Sequence, residues 1–385
     1  MSDLIDFTEV LANAFIKISS DELGSFTTQP LNSKQRAEVH ELCKNAGLIT
    51  KSLSIFNCPE KRIEIKKSNP SEIVDFEITK EMIEFFAKFA QVPIPTTNPL
   101  SVTYYLEELK KYYNCHLWSI FIKEVQKNGL GKLRYDCGHV RTEIIKYIKE
   151  NPEYVAFCEL PTSDLNQRAP IEIRTKNSIY QQNHTNKHFI SVDIKSANYT
   201  FLKSVCPSIT KSWKELVGTF VDSEFIAESK YIREIVFGEL GNKKLLSNIL
   251  LLIKRVFDLV ESDDVLRSAL VKTVCTTDEI IYEVSDNYDI AYFNSKIHEI
   301  DPDQSVYRVE KFKLVQLTPY PYFVKEIDMP TGINKIQFKS INKNHIMQCI
   351  KHYEGRPVNT ADKKFMCEEF EATFDDVLVF DKKYN

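Results

Sequence analysis

The chain has 385 residues, long enough for two or three domains rather than one. Its 43% apolar and 27% charged content is that of a globular protein, and no run approaches the roughly 18 apolar residues of a membrane-spanning helix. A net charge of −4 excludes an overall basic nucleic-acid binder but leaves room for a local basic face.

The opening stretch "MSDLIDFTEV" is acidic and lacks the basic region of a signal peptide. Nine cysteines, an odd number without repeating spacing, read as reduced thiols of an intracellular protein, cytoplasmic or nuclear. Cys115-His116 with Cys137 and His139 is the nearest approach to a metal cluster, and its spacing fits no standard zinc pattern.

Residues 1–70 form a first segment ending in the polar stretch "KKSNPSE". Asn32 followed by Gln35 predicts a capping box. Val39, Leu42, Cys43 and Ala46 predict an apolar helix stripe that Gly47 can close. Arg36 and His40, four apart, share one face of that helix, and "RIEIK" alternates as a half-buried strand does. This stretch, with "HELCKNAGL", Ser52 and "KRIEI", resembles the R-three-H domain over roughly residues 25–67. Such domains are small α/β modules that bind single-stranded nucleic acid. The resemblance implies that Arg36 and His40 face a phosphate backbone, for which a planar guanidinium fork is suited.

Residues 71–165 are expected to be helical, because "ITKEMIEFFAKFA", "LSVTYYLEELKKYY", "LWSIFIKEVQK" and "VRTEIIKYIKE" all place apolar residues three and four apart. Residues 166–385 alternate strand-like and helix-like stretches. "HFISVDI", "DEIIYEV", "VYRVEKFKLVQL" and "NKIQFKSI" read as strands around helices such as "LLSNILLLIKRVFDLV". The fold class is therefore α+β, with an antiparallel sheet and helices on one face.

Three motifs in this last segment carry chemistry. "SVDIKSANY" ends an apolar strand on Asp193, which is either a helix cap or a metal ligand. "SKYIREIVFGELGNKK" places Lys230, Arg233, Phe237, Gly241 and Lys244 on one helical stripe, a set of cations around an aromatic that suits a triphosphate and a base. "VCTTDEIIYEV" brings Asp278 and Glu279 to a turn between strand-like halves. Acids carried by separate strands can jointly hold two Mg²⁺ ions for phosphoryl transfer.

Together the three motifs resemble those of palm-type nucleotidyl polymerases, family A above all. "DEIIYEV" resembles that family's third motif, "REIVFG" its finger helix and "SVDIKSANY" its first motif, the last also close to the family B form. The resemblance implies that Asp193 and Asp278 bind Mg²⁺ (or Mn²⁺) and that Glu279 supports the metal site. Lys230 and Arg233 would then contact a nucleoside triphosphate and Phe237 its base or sugar. Asn198, five positions after Asp193, would stand where such enzymes exclude the ribose 2′-hydroxyl, and its small side chain would admit ribonucleotides. Tyr199 offers the alternative register. This sequence has Thr277 where the family has His, Ser229 where the family has Arg, and Gly241 where the family has Tyr. The expected partners are single-stranded or primer-template nucleic acid and nucleoside triphosphates, with no membrane. The alternative is an inactive palm that only binds single-stranded nucleic acid. Low glycine with abundant Lys, Ile and Asn points to an AT-rich genome, as of a large DNA virus or a protist.

Overall fold

The computed structural model describes residues 25–28, 30–45, 48–54, 61–67, 76–161, 171–209, 212–240 and 243–380. The chain divides into two compact units, residues 1–77 and residues 78–385. It is an α+β protein.

In the first unit, strands β1 (Ser25–Thr27), β2 (Leu48–Ser54) and β3 (Lys61–Lys67) form an antiparallel sheet in the order β1-β3-β2, with helix α1 (Ser33–Asn45) packed on it. The helix starts with the expected capping box. Asn32 Oδ1 accepts from the backbone of Lys34 and Gln35 at 3.0 Å each, and Gln35 Oε1 accepts from Asn32 N at 3.1 Å. Val39 and Cys43 meet Ile63 and Ile65 of the alternating strand in a dry core closed by Leu31. Ala46 and Gly47 lie outside the described residues.

The second unit joins a helical layer to a sheet. Helices α2 (Lys80–Ala90), α3 (Pro99–Leu109), α4 (Leu117–Asn128), α5 (Leu130–Glu150) and α6 (Pro152–Glu159) match the four periodic stretches and add a short fifth. Phe85, Phe86 and Phe121 pack with Trp118 and Phe225, at ring-centroid distances of 4.9–6.2 Å. Aromatic rings bury large areas, which holds this layer together.

The sheet contains β4 (His188–Ile194), β5 (Val271–Cys275), β6 (Glu279–Val284), β7 (Tyr307–Gln316), β8 (Phe323–Ile327) and β9 (Lys335–Lys339). Its order is β5-β6-β4-β7-β8-β9, and every pairing is antiparallel. Strand β4 is buried on both faces, with Phe189, Ile190 and Val192 fully covered. That explains why it reads as a continuous apolar run instead of an alternating one. Four further helices matter to the site: α7 (Ala197–Val205), α8 (Lys230–Leu240), α9 (Lys243–Ser262) and α10 (Ile290–Ile300). Helix α9 packs against β4 and β6, and α10 against β7. The opposite face carries Phe189, Phe312, Phe323 and Ile327 in a second apolar cluster. Toward the Asp193 end that face turns polar. Lys325, 6% exposed, donates to Glu310 at 2.7 Å and to Ser191 at 3.4 Å, with its ammonium 4.3 Å from the Phe312 ring centroid. Strands β10 (Lys364–Cys367) and β11 (Phe370–Thr373) form a separate hairpin.

The stretch from Ser229 to Lys244 is not one helix. Helix α8 ends at Leu240 and α9 begins at Lys243, so the cation stripe runs only from Lys230 through Arg233 to Phe237. Gly241 lies outside the described residues, and Lys244 belongs to the next helix.

Candidate functional site

Asp193 is the penultimate residue of β4, directly opposite Glu279 on β6 and Arg308 on β7. Asp278 precedes β6 in the turn that joins it to β5. Thr276 shapes this turn: its N–H donates to Glu279 O at 2.8 Å, and its hydroxyl oxygen accepts from Glu279 N at 3.0 Å and lies 3.2 Å from Asp278 Oδ1. One further ladder bond, Ile194 N to Asp278 O at 2.9 Å, fastens the two strand ends together.

The two acids line one cavity of about 380 Å³. Its other walls include Asn198 on α7, and Lys230, Arg233, Glu234 and Phe237 on α8. Six residues singled out from three separated motifs thus share one cavity. Glu279 is not part of its lining. It stands half-buried on the same sheet face, its carboxyl raised by burial, with Lys325 opposing and Asp193 and Asp278 adding to the shift.

The helix-cap reading of Asp193 is not what the structure shows. Helix α7 is preceded by Ser196, whose backbone sits in the left-handed region (φ 47°, ψ 50°) without a side-chain cap. The Asp193 carboxylate instead accepts from Arg308, which also reaches Glu310 at 3.6 Å. Burial raises the Asp193 carboxyl, Arg308 opposes that shift, and Asp278 and Glu310 add to it. Two acids whose charges act on each other in a partly buried site favour a cation between them.

On the facing wall, Lys230 pairs with Glu234 at 3.4 Å, and Gln91 donates to Glu234 at 2.7 Å. Arg233 has no hydrogen-bonding or ion-pairing partner among the described residues. Burial lowers its pKa, and the charge of Glu234 opposes that shift. Phe237 is 6% exposed and packs with Tyr199 and Trp213 at 6.5 and 6.1 Å, so it serves first as the back wall of the cavity. Of the two registers after Asp193, Asn198 lines the cavity and Tyr199 is buried in this aromatic group.

Among the described residues no group of three or more His, Cys, Asp or Glu side chains is disposed to hold a metal ion. Asp193 and Asp278 are two carboxylates lining one cavity, the donor type and number that a Mg²⁺ ion retaining several waters takes. Cys115 and Cys137 are buried thiols, each pushed up to about 12 by burial.

In the first unit, Arg36 and His40 are each engaged locally. Arg36 donates to Leu31 O at 2.8 Å and to Ser33 Oγ at 3.0 Å. The His40 ring nitrogens lie 2.6 Å from Thr50 Oγ1 and 3.2 Å from Ser52 Oγ, which fixes the ring against β2.

Sequence reasoning missed Arg308 and Glu234. Glu234 sits at i+4 from Lys230, a spacing that could have found it. Nothing near Arg308 in the chain marks it; only the β4–β7 register brings it to Asp193.

Fold and cavity together define an α+β protein with a paired-carboxylate, cation-lined site. The chain matches no model of a known protein family, no curated protein and no solved structure. Among the described residues no helix is long and apolar enough to cross a membrane.

Proposed function

We propose that the second unit is a palm-type nucleotidyltransferase that extends a nucleic-acid strand, and that the first unit binds single-stranded nucleic acid through the face bearing Arg36 and His40. The observation that carries the first part is the shared cavity: paired acids on one wall, and on the other the cations Lys230 and Arg233 with Asn198 and Phe237. A nucleoside triphosphate has complementary chemistry, with anionic oxygens for Arg233 and Lys230 and a sugar that would lie beside Asn198.

Asp193 and Asp278 would hold Mg²⁺ (or Mn²⁺), which supplies positive charge to the entering and leaving oxygens. In the reaction a strand-end hydroxyl oxygen bonds to the α-phosphorus and the bond to the bridging oxygen breaks. Pyrophosphate leaves, and the hydroxyl proton passes to solvent. Arg233, which makes no hydrogen bond or close ion pair among the described residues, orients the β- and γ-phosphates. Asn198, smaller than Tyr or Glu, leaves room for a ribose 2′-hydroxyl.

The test is primer extension on a template with Mg²⁺ or Mn²⁺, offering ribo- and deoxyribonucleotides separately. Wild type should extend, and Asp193→Ala and Asp278→Ala should lose that activity while remaining folded. Equal behaviour of wild type and Asp193→Ala would exclude the enzyme. A palm that only binds single strands is the reading then left, and the Arg308 guanidinium already neutralising Asp193 favours it.

A further inference from the structure

A second cavity, of about 370 Å³, adjoins the first and shares Arg308 with it. It lies where β4 ends, beside α10 and the start of β7. Its lining includes Lys195, Asn294, His298, Asp301 and Gln304.

Among the described residues Asp301 is the only acid in that lining, and its carboxylate is already engaged. It accepts from the backbone N–H of Ser305 at 3.0 Å, Val306 at 3.0 Å and Tyr307 at 2.9 Å. Lys195 donates to a neutral acceptor, the carbonyl of Gln304, and its charge acts on Asp301 from a distance. Gln304 is held at φ 50°, and Ser196 on the neighbouring rim at φ 47°. Left-handed backbone at non-glycine residues is costly and concentrates at ligand sites. The cavity therefore offers an ammonium, an imidazole and an amide, with Arg308 at the strand edge between it and the first cavity, and among the described residues its lining holds no unengaged carboxylate.

Arg308 connects the two cavities. Its fork of donors is directed at Asp193 and, at 3.6 Å, at Glu310. Anything that takes over Asp193 releases this guanidinium to another anion.

We propose that the second cavity is a phosphate site served by Lys195, His298 and Arg308, and that Arg308 is partitioned between it and Asp193. The ligand chemistry is a phosphate oxyanion, either pyrophosphate leaving the first cavity or a backbone phosphate of the bound strand. The proposal rests on the nucleotidyl-transfer reading for its ligand, but its test requires no turnover.

The full chain is titrated calorimetrically in EDTA with inorganic pyrophosphate, and in a parallel arm with a short single-stranded oligonucleotide. Lys195→Ala and Arg308→Ala should each weaken pyrophosphate binding about 10-fold, the effect of losing one charge-assisted hydrogen bond. Lys195→Arg should restore it. Asp193→Asn, which frees Arg308, should tighten binding several-fold. Loss of binding in Arg233→Ala but not in Lys195→Ala would assign the anion to the first cavity and overturn the proposal. Indifference of both ligands to Lys195→Ala and Arg308→Ala would overturn it too. A Lys195-dependent effect on the oligonucleotide alone would retain the phosphate site and assign it to the strand. Lys195-dependent pyrophosphate binding in a protein that never extends a primer would remove the nucleotidyl-transfer reading and leave the site standing.

Discussion

Replacing Arg233 by Met keeps much of the side-chain volume and removes only the guanidinium. That group is partly buried, lowered in pKa by burial, and without a hydrogen-bonding or ion-pairing partner among the described residues. Removing a desolvated, unpaired charge leaves no orphaned acceptor behind, so stability should change by no more than about 0.5 kcal/mol. For a unit of this size that is about 2 °C or less in Tm. If Arg233 orients a triphosphate, the lost charge-assisted bond is worth roughly 1.5–3 kcal/mol, a 10- to 150-fold rise in Kd. Thermal unfolding without ligand and nucleotide titration, run on the same preparation, separate the two effects. A Tm lowered by 5 °C or more with unchanged nucleotide affinity would show that Arg233 is a structural residue and refute this reasoning.

Phe237, which lines the same cavity, should behave oppositely. As a 6% exposed ring against Tyr199 and Trp213, its change to Ala should cost about 3–5 kcal/mol by chemical denaturation. Asn32→Ala removes one half of the capping box and should cost the first unit about 1 kcal/mol, read from its own urea transition. Asp301 has its folded pKa held low by three backbone N–H groups against the effect of burial. Its contribution is therefore complete above the unfolded carboxylate pKa of about 3.9 and is lost as pH falls through the folded value. The urea midpoint of wild type should drop between pH 5 and pH 3 more steeply than that of Asp301→Asn.

The helices and strands that carry the site were legible because each is a local pattern. A 3.6-residue period marked α2 to α5, and the run "HFISVDI" became β4 residue for residue. The meeting of Asp193 with Asp278 was legible only through the resemblance, since composition and spacing do not set strand register. Arg308 shows the limit most clearly. It lies 115 positions from its ion-pair partner and is one of many charged residues in a strand whose alternation is ordinary. The expected stripe beyond Phe237 failed for a related reason. Helical spacing extrapolates through any short stretch, whereas the chain starts a new helix at Lys243.

Helix α8 is fastened to the helical layer at several points. Ser229 donates to the carbonyl of Phe89 at 2.8 Å, Gln91 holds Glu234, and Arg141 pairs with Glu239 at 2.7 Å. The acids, by contrast, are fixed at the ends of two neighbouring inner strands, Asp193 on β4 and Asp278 in the turn before β6. The gap between the Lys230–Arg233 wall and the acids is thus a spacing between two layers, held on one side by these helix contacts. A change that loosens α8 from that layer, such as Ser229→Ala, would shift the cavity's electric field while altering no residue that lines it.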